Sequence, residues 1–186
     1  MSYYCFRPFT DADLPLAARW LKTPEVIRWW GDPEHELTVL TQDLDEPSMR
    51  PWIVEYRGRP FAYVQAYPVG AWPRVHLKHL CANAQMIDAF VGEPDMLNQG
   101  HGSAFLRELA QMLIDEGSAA IAIDPDAKNE RARRAYARLR HSLPVLGSAI
   151  LKSARPFVGF IIRYHDSVPL CRLKERGRDF SVFTKA

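Results

Sequence analysis

Residues 87–110, IDAFVGEPDMLNQGHGSAFLRELA, constrain this chain more than any other stretch: a strand passes through an acidic connector into a glycine turn and then an amphipathic helix. Gly100 and Gly102 flank His101, so backbone amides there are unscreened by Cβ atoms. Ser103 follows as the expected N-cap. Phe105, Leu106, Leu109, Ala110, Leu113 and Ile114 then recur at helical spacing on one face. Free N–H groups and the helix dipole converge at such a start. The turn is therefore either a tight connection or a seat for an anion such as a phosphate or pyrophosphate. It is not a P-loop, because no Gly-Lys-Ser/Thr follows, and it is not a complete G-x-G-x-x-G.

The alternation continues downstream. Gly117 ends the helix, and residues 119–123 form a short continuous apolar run, as expected of a strand buried on both faces. Asp124-Pro125-Asp126 lies at its C-terminal end, and residues 129–138 read as a helix with Tyr136 near its end. Strand, helix, strand, helix from 86 to 138 predicts a βαβα unit and an α/β fold.

Upstream, residues 3–8 predict a first strand, and Thr10 to Asp13 supplies capping for a helix carrying Leu14, Leu16, Ala17, Trp20 and Leu21. Thr23-Pro24 restarts a short helix that ends at Trp29-Trp30-Gly31-Asp32-Pro33. The paired tryptophans either pack inward or wall a ligand. Residues 34–46 are acidic and partly helical, with Leu37, Leu40 and Leu44 as the apolar stripe. Residues 52–56 and 60–67, joined by Arg57-Gly58-Arg59, predict a β-hairpin. In its second strand Tyr63, Gln65 and Tyr67 share one face, either lining a pocket or forming a solvated sheet surface. Residues 68–83 carry no regular pattern.

At 186 residues the chain is long enough for one domain with a sizeable core. No apolar run approaches the roughly 18 residues that span a bilayer. The N-terminal residues lack the basic segment and apolar core of a signal peptide. Cys5, Cys81 and Cys171 are odd in number and unpaired in spacing, which predicts free thiols in a reducing cytoplasm. The six histidines show no ligand spacing, so no metal is expected. Charge is divided unevenly. Residues 1–127 hold 10 Lys/Arg against 18 Asp/Glu, a balance of −8, while residues 128–186 hold 14 against 4, a balance of +10. The acidic part favours a cationic small molecule. The basic part, with Arg131, Arg133, Arg134, Arg138 and Arg140, would favour a polyanion, but aromatic interleaving and a nucleic-acid motif are missing.

Together these motifs resemble the GNAT acetyl-CoA-dependent N-acyltransferases, and within them most nearly the aminoglycoside 6′-N-acetyltransferases. The resemblance rests on R-P-x-T-x-x-D-L from Arg7, W-L at Trp20 and V-x-x-W-W-G from Val26. It continues with Y-x-Q-x-Y from Tyr63, I-D-x-F-V-G-E followed by G-x-G from Ile87, and D-P-x-x-x-N-x-R-A-x-x-A-Y from Asp124. It runs from Phe6 to about Tyr136 and implies a mixed α/β sheet, splayed at its centre and flanked by helices, that binds acetyl-CoA. It implies a single domain over residues 1–186, acting as a monomer or homodimer, with antibiotic resistance as its role. Relatives acting on siderophore hydroxylysine share the W-W-G region, and a peptide terminus is another possible acceptor. A catalytically impaired protein that binds acyl-CoA or nucleic acid is the non-enzymatic alternative.

The resemblance also assigns residues. Phe90 and Val91 would present free amides to the pantetheine arm and the acetyl carbonyl. Asn98, Gln99, Gly100, His101, Gly102 and Ser103 would cradle the pyrophosphate, and Asn129 would contact the pantetheine region. Asp88 would hold the acceptor amine and take its proton, because an ammonium has no lone pair with which to attack. Tyr136 would protonate the leaving thiolate. Trp29, Trp30, Tyr63, Gln65, Tyr67 and Asp124 would contact the acceptor. Asp88, Asp124, Glu93, Asp95 and Asp126 would together make a negative cleft for a polycation. Two departures stand out. Leu97 occupies a position where the superfamily has a basic or amide residue, and after Tyr136 the chain lacks the family's Gly-Phe and turns basic through residues 137–186. Strand-like runs remain at 145–151 and 157–164.

Overall fold

The structure is a computed structural model that describes residues 3–72, 80–142, 148–152 and 158–163. It divides into two compact units, Met1–Tyr67 with Ile87–Glu108, and Pro68–Met86 with Leu109–Ala186.

The first unit opens with strand β1 (Tyr4–Pro8), a 3-10 turn (Asp11–Asp13) and three helices, α1 (Leu14–Leu21), α2 (Pro24–Trp30) and α3 (Pro33–Asp43). The expected capping at Thr10 forms: its N–H and hydroxyl both donate to Asp13 Oδ2 at 3.0 Å. Arg7 closes on the same carboxylate through two nitrogens at 2.8 and 2.7 Å, and on Glu55 at 2.8 Å. Pro24 and Pro33 open α2 and α3, where a missing N–H costs nothing. Asp32 caps α3 by accepting from the His35 N–H at 2.8 Å.

Strands β2 (Arg50–Tyr56) and β3 (Arg59–Pro68) pair antiparallel and make the predicted hairpin. Arg57 and Gly58 have φ of 52° and 76°, the two left-handed residues of a type I′ turn. Strand β4 (Gln85–Val91) follows β3 in the sheet, so this unit's order is β1-β2-β3-β4. Its core gathers Phe9, Ala17, Trp20, Leu21, Val26, Leu40, Ile53, Tyr63 and Phe90, with Leu37 and Leu44 packed against it. Each large side chain there contributes about 1.5–3 kcal/mol through burial. Gly92 is fixed by this packing, since a Cβ at that position would lie 2.1 Å from Trp20 Cγ. A 3-10 turn (Pro94–Met96) then leads to helix α4 (His101–Asp115).

In the second unit α4 ends as predicted at Gly117, whose φ is +103°. The Ser118 N–H reaches Leu113 O at 3.0 Å and the Gly117 N–H reaches Ile114 O at 2.8 Å, a Schellman closure. Strand β5 (Ala120–Ile123) is buried at all four positions. It pairs parallel with the start of β4 through Gln85↔Ile121 and Met86↔Ala122, where the ladder ends. Helix α5 (Glu130–Ser142) follows. The basic segment then supplies β6 (Ser148–Lys152) and β7 (Val158–Arg163), antiparallel to each other, with β7 antiparallel to β5. This unit's strand order is β4-β5-β7-β6, which makes the sheet mixed and the fold α/β. Both strand-like runs of the basic segment thus pair, while residues 73–79, Cys171 and everything beyond 163 lie outside the described residues. No described helix is long and apolar enough to cross a membrane.

Candidate active site

Strand β3 brings Tyr63, Gln65 and Tyr67 to one face, as its alternation requires. The solvated-surface alternative fails, because all three are buried. Burial obliges each polar tip to find a partner. The Tyr63 hydroxyl donates to Gln65 Oε1 at 2.6 Å. The Tyr67 hydroxyl donates to Asp88 Oδ2 at 2.7 Å. Gln65 therefore spends its amide oxygen on Tyr63, which leaves its NH2 as the group it can offer a ligand. Burial, reinforced by the Asp43 and Asp88 carboxylates, pushes the Tyr63 phenol far above its ordinary value and keeps it protonated.

Asp88 and Phe90 lie two apart on β4 and share a face. Phe90 stacks on Tyr63, with centroids 5.4 Å apart, and takes the edge of Trp30 at 4.9 Å. Trp30 is thus a half-buried wall against the core. Trp29 turns the other way, donating from Nε1 to Glu25 Oε1 at 2.9 Å and lying under Arg28. Trp30 thus takes the inward-packing role, and Trp29 lies outside that packing.

A second carboxylate belongs to this region. Burial, and next the charge of Asp88, raises the Asp43 pKa, with Glu46 adding to the effect. Asp43 closes α3 three residues after buried Leu40, on the helix's inward stripe. That spacing was the signal from which the sequence reading could have found it.

The connector between β4 and α4 is held firmly. Glu93 accepts from Trp20 Nε1 at 2.8 Å and from Arg19 at 2.6 Å, and pairs with Arg59 at 3.1 Å. Arg59 also grips both oxygens of Asp95 at 2.7 and 2.9 Å, holding that carboxyl below its usual range. Glu93 and Asp95 are therefore neutralised by arginines rather than open to a polycation. Asp126 Oδ1 likewise accepts from the Lys128 N–H at 2.7 Å. The expected negative cleft loses Glu93 and Asp95, whose charges the arginines already answer, whereas a backbone N–H leaves Asp126 its charge.

The glycine turn begins with Asn98 at φ 61° and Gly100 at φ 87°. The Gln99 amide donates to Asp95 O and closes the turn locally. Helix α4 starts at His101, two residues before the expected Ser103 cap. Ser103 lies inside the first turn, where its hydroxyl donates to Gly100 O at 2.9 Å. The unpaired N–H groups of a helix start consequently belong to residues 101–103, between and beside the two glycines. Among the described residues, nothing beyond the adjoining backbone lies within 4 Å of where a Cβ on Gly100 or Gly102 would stand. Open backbone before an α-helix of 15 residues fits an anionic group.

In the second unit Asp124 is half-buried just after β5. Asn129 caps α5, its Oδ1 accepting from the Ala132 N–H at 3.0 Å, so only its NH2 remains for a ligand. Tyr136 is half-buried on α5. Among the described residues no cluster of His, Cys, Asp and Glu is arranged to hold a metal.

Comparison with known proteins adds the following. Residues 10–143 match the family described as acetyltransferase (GNAT) domain. An uncharacterised protein from Bacillus halodurans shares 19% identity at a TM-score of 0.72, over 86% of this chain and 82% of its own. Aminoglycoside acetyltransferase AAC(6')-Ib, in complex with paromomycin and acetyl-CoA, shares 21% at a TM-score of 0.71, over 92% and 99%. Spermidine N-acetyltransferase from Vibrio cholerae, in complex with CoA and spermine, shares 11% at a TM-score of 0.62, over 88% and 97%.

Proposed function

From the premise that this chain belongs to the GNAT acetyltransferase family, we propose that it transfers an acetyl group from acetyl-CoA to the 6′-amine of an aminoglycoside, and that it confers resistance from the cytoplasm. The observation that carries this reading is the Tyr67–Asp88 hydrogen bond, which holds one carboxylate in a fixed orientation, with its charge felt at Asp43. A protonated amine needs a base so positioned to take its proton, and a second carboxylate can help to orient the cation.

Acetyl-CoA supplies an acetyl group activated as a thioester. The turn at Asn98, Gln99, Gly100, His101, Gly102 and Ser103 suits its pyrophosphate because the backbone there is open and carries N–H donors. Phe90 and Val91, past the end of the β4–β5 ladder, offer amides to the pantetheine arm and the acetyl carbonyl. The Asn129 NH2 adds a donor. Asp88 accepts the ammonium proton and frees the lone pair. The N–C bond then forms as the C–S bond breaks, Tyr136 gives its phenolic proton to the departing sulfur, and the second proton shed by the acylated nitrogen restores the phenol. Gln65, Tyr67, Trp29, Trp30 and Asp124 shape and orient the acceptor, while Tyr63 sets the Gln65 amide.

The test is coenzyme A release by purified protein with aminoglycosides that carry or lack a 6′-amine. Release dependent on that amine supports the reading. Bound acetyl-CoA with release only on other amines, such as a polyamine or a hydroxylysine, would replace the acceptor and keep the chemistry.

A further inference from the structure

We propose that Tyr4, on the first strand, is a positioning residue for the phosphate-binding turn and acts through His101; the inference rests on the acetyl-CoA reading above. His101 is the first residue of α4 and stands between two glycines that bring no side chain to anchor the turn. Its Nδ1 lies 2.8 Å from the Tyr4 hydroxyl, 97 residues away in sequence. Among the described residues this is the one long-range side-chain hydrogen bond made by residues 98–103. The others, from Gln99 to Asp95 O and from Ser103 to Gly100 O, close within four residues.

The imidazole is also enclosed by rings. Its centroid lies 4.7 Å from Tyr56, 5.5 Å from Phe61 and 6.0 Å from Tyr4, which meets it edge-on. Tyr4 in turn contacts Tyr56, Phe61 and Phe105, so it belongs to the same packed group. Burial raises the Tyr4 phenol above its ordinary value, with Glu108 adding to the effect, so the hydroxyl keeps its proton and can donate to Nδ1 or accept from it according to the imidazole tautomer. In either sense the bond holds the ring in one orientation.

The physical effect is preorganisation. A turn of two glycines samples many backbone states, and a ligand that binds it must bear the cost of ordering them. Tying the first residue of the helix to β1 removes part of that cost before the ligand arrives. The effect should be confined to ligands that use the turn, since Tyr4 acts on the peptide and not on the reacting atoms.

Tyr4→Phe keeps the ring packing and removes only the hydroxyl. Its affinity for coenzyme A and for pantetheine, which lacks the pyrophosphate, should be measured by calorimetry beside the thermal midpoint. The expected result is about tenfold weaker coenzyme A binding, unchanged pantetheine binding and a folded protein. His101→Phe should give the same loss, and the double variant no more than either single one, because both remove one bond. Equal weakening for both ligands, or no change for either, overturns the inference while leaving the acetyl-CoA reading in place. A Tyr4→Phe protein that fails to fold shifts the decision to His101→Phe, read the same way. Wild-type protein that binds neither ligand overturns the acetyl-CoA reading and this inference with it.

Discussion

At the residue scale the site turns on how carboxylates are held. Asp88→Asn keeps the acceptor for the Tyr67 hydroxyl but removes the base. Turnover should fall by about a hundredfold or more while acetyl-CoA affinity stays within twofold (roughly, for a group that does not touch the donor); near-normal turnover would remove Asp88 from its role. Two other carboxylates should respond to pH with opposite signs. Arg7 holds Asp13 below its ordinary value, so its stabilisation is complete above that value and is lost as pH falls through the folded one. Asp13→Asn should cost about 1–3 kcal/mol at pH 7 in urea unfolding, and less at pH 3. Asp43 is raised instead, chiefly by burial and then by Asp88, so its protonated form favours folding and that contribution disappears as pH rises through the folded value. Asp43→Asn should therefore raise the urea midpoint at pH 7 and weaken amine binding. Strand alternation put Tyr63, Gln65 and Tyr67 on one face, leaving open whether that face was buried, while the family resemblance and not alternation singled out Asp88. Asp43 was overlooked because an acidic residue at a helix end reads as solvated unless its spacing from Leu40 is weighed.

At the element scale the glycines separate by what surrounds them. A Cβ at Gly92 would stand 2.1–2.6 Å from the Trp20 ring, and that indole is buried and bonded to Glu93. Gly92→Ala should destabilise by about 1–3 kcal/mol or more, as overpacking does. Gly102 is helical and faces open space, so Gly102→Ala should hold or raise stability by up to about 1 kcal/mol and yet weaken coenzyme A binding. Unfolding midpoints and calorimetry on the two variants check the contrast. The helix stripes were readable from periodicity, the hairpin from two strand-like runs about a glycine turn, and the buried β5 from a continuous apolar run. The start of α4 was not: a serine after Gly-His-Gly looks like a cap, but glycine at left-handed φ turns the chain early enough for His101 to begin the helix.

At the scale of the whole molecule, charge and chain order decide. The balance of −8 over residues 1–127 should draw polycationic amines, and the Debye length shrinks from about 10 Å at 0.1 M salt to about 3 Å at 1 M. KM for a polycationic acceptor should accordingly rise several-fold across that range, while a monoamine changes little; equal responses would count against long-range attraction. The strand-helix alternation of residues 86–138 was enough to call an α/β fold. The basic segment was harder to read, since it lacks the expected Gly-Phe. Its strand-like runs nevertheless extend the sheet, β7 pairing with β5 and β6 with β7. Local β-propensity persisted where motif matching failed.

The contact of Gly92 with Trp20 also limits how this sequence can drift. A methyl group at 92 is acceptable only after the indole has given way to something smaller. Losing the indole, in turn, deprives Glu93 of an N–H donor. Position 20 and the adjacent pair 92 and 93, some seventy residues away, are therefore bound to a permitted order of replacement. A descendant lineage that carries alanine at 92 should show a reduced side chain at 20, acquired first.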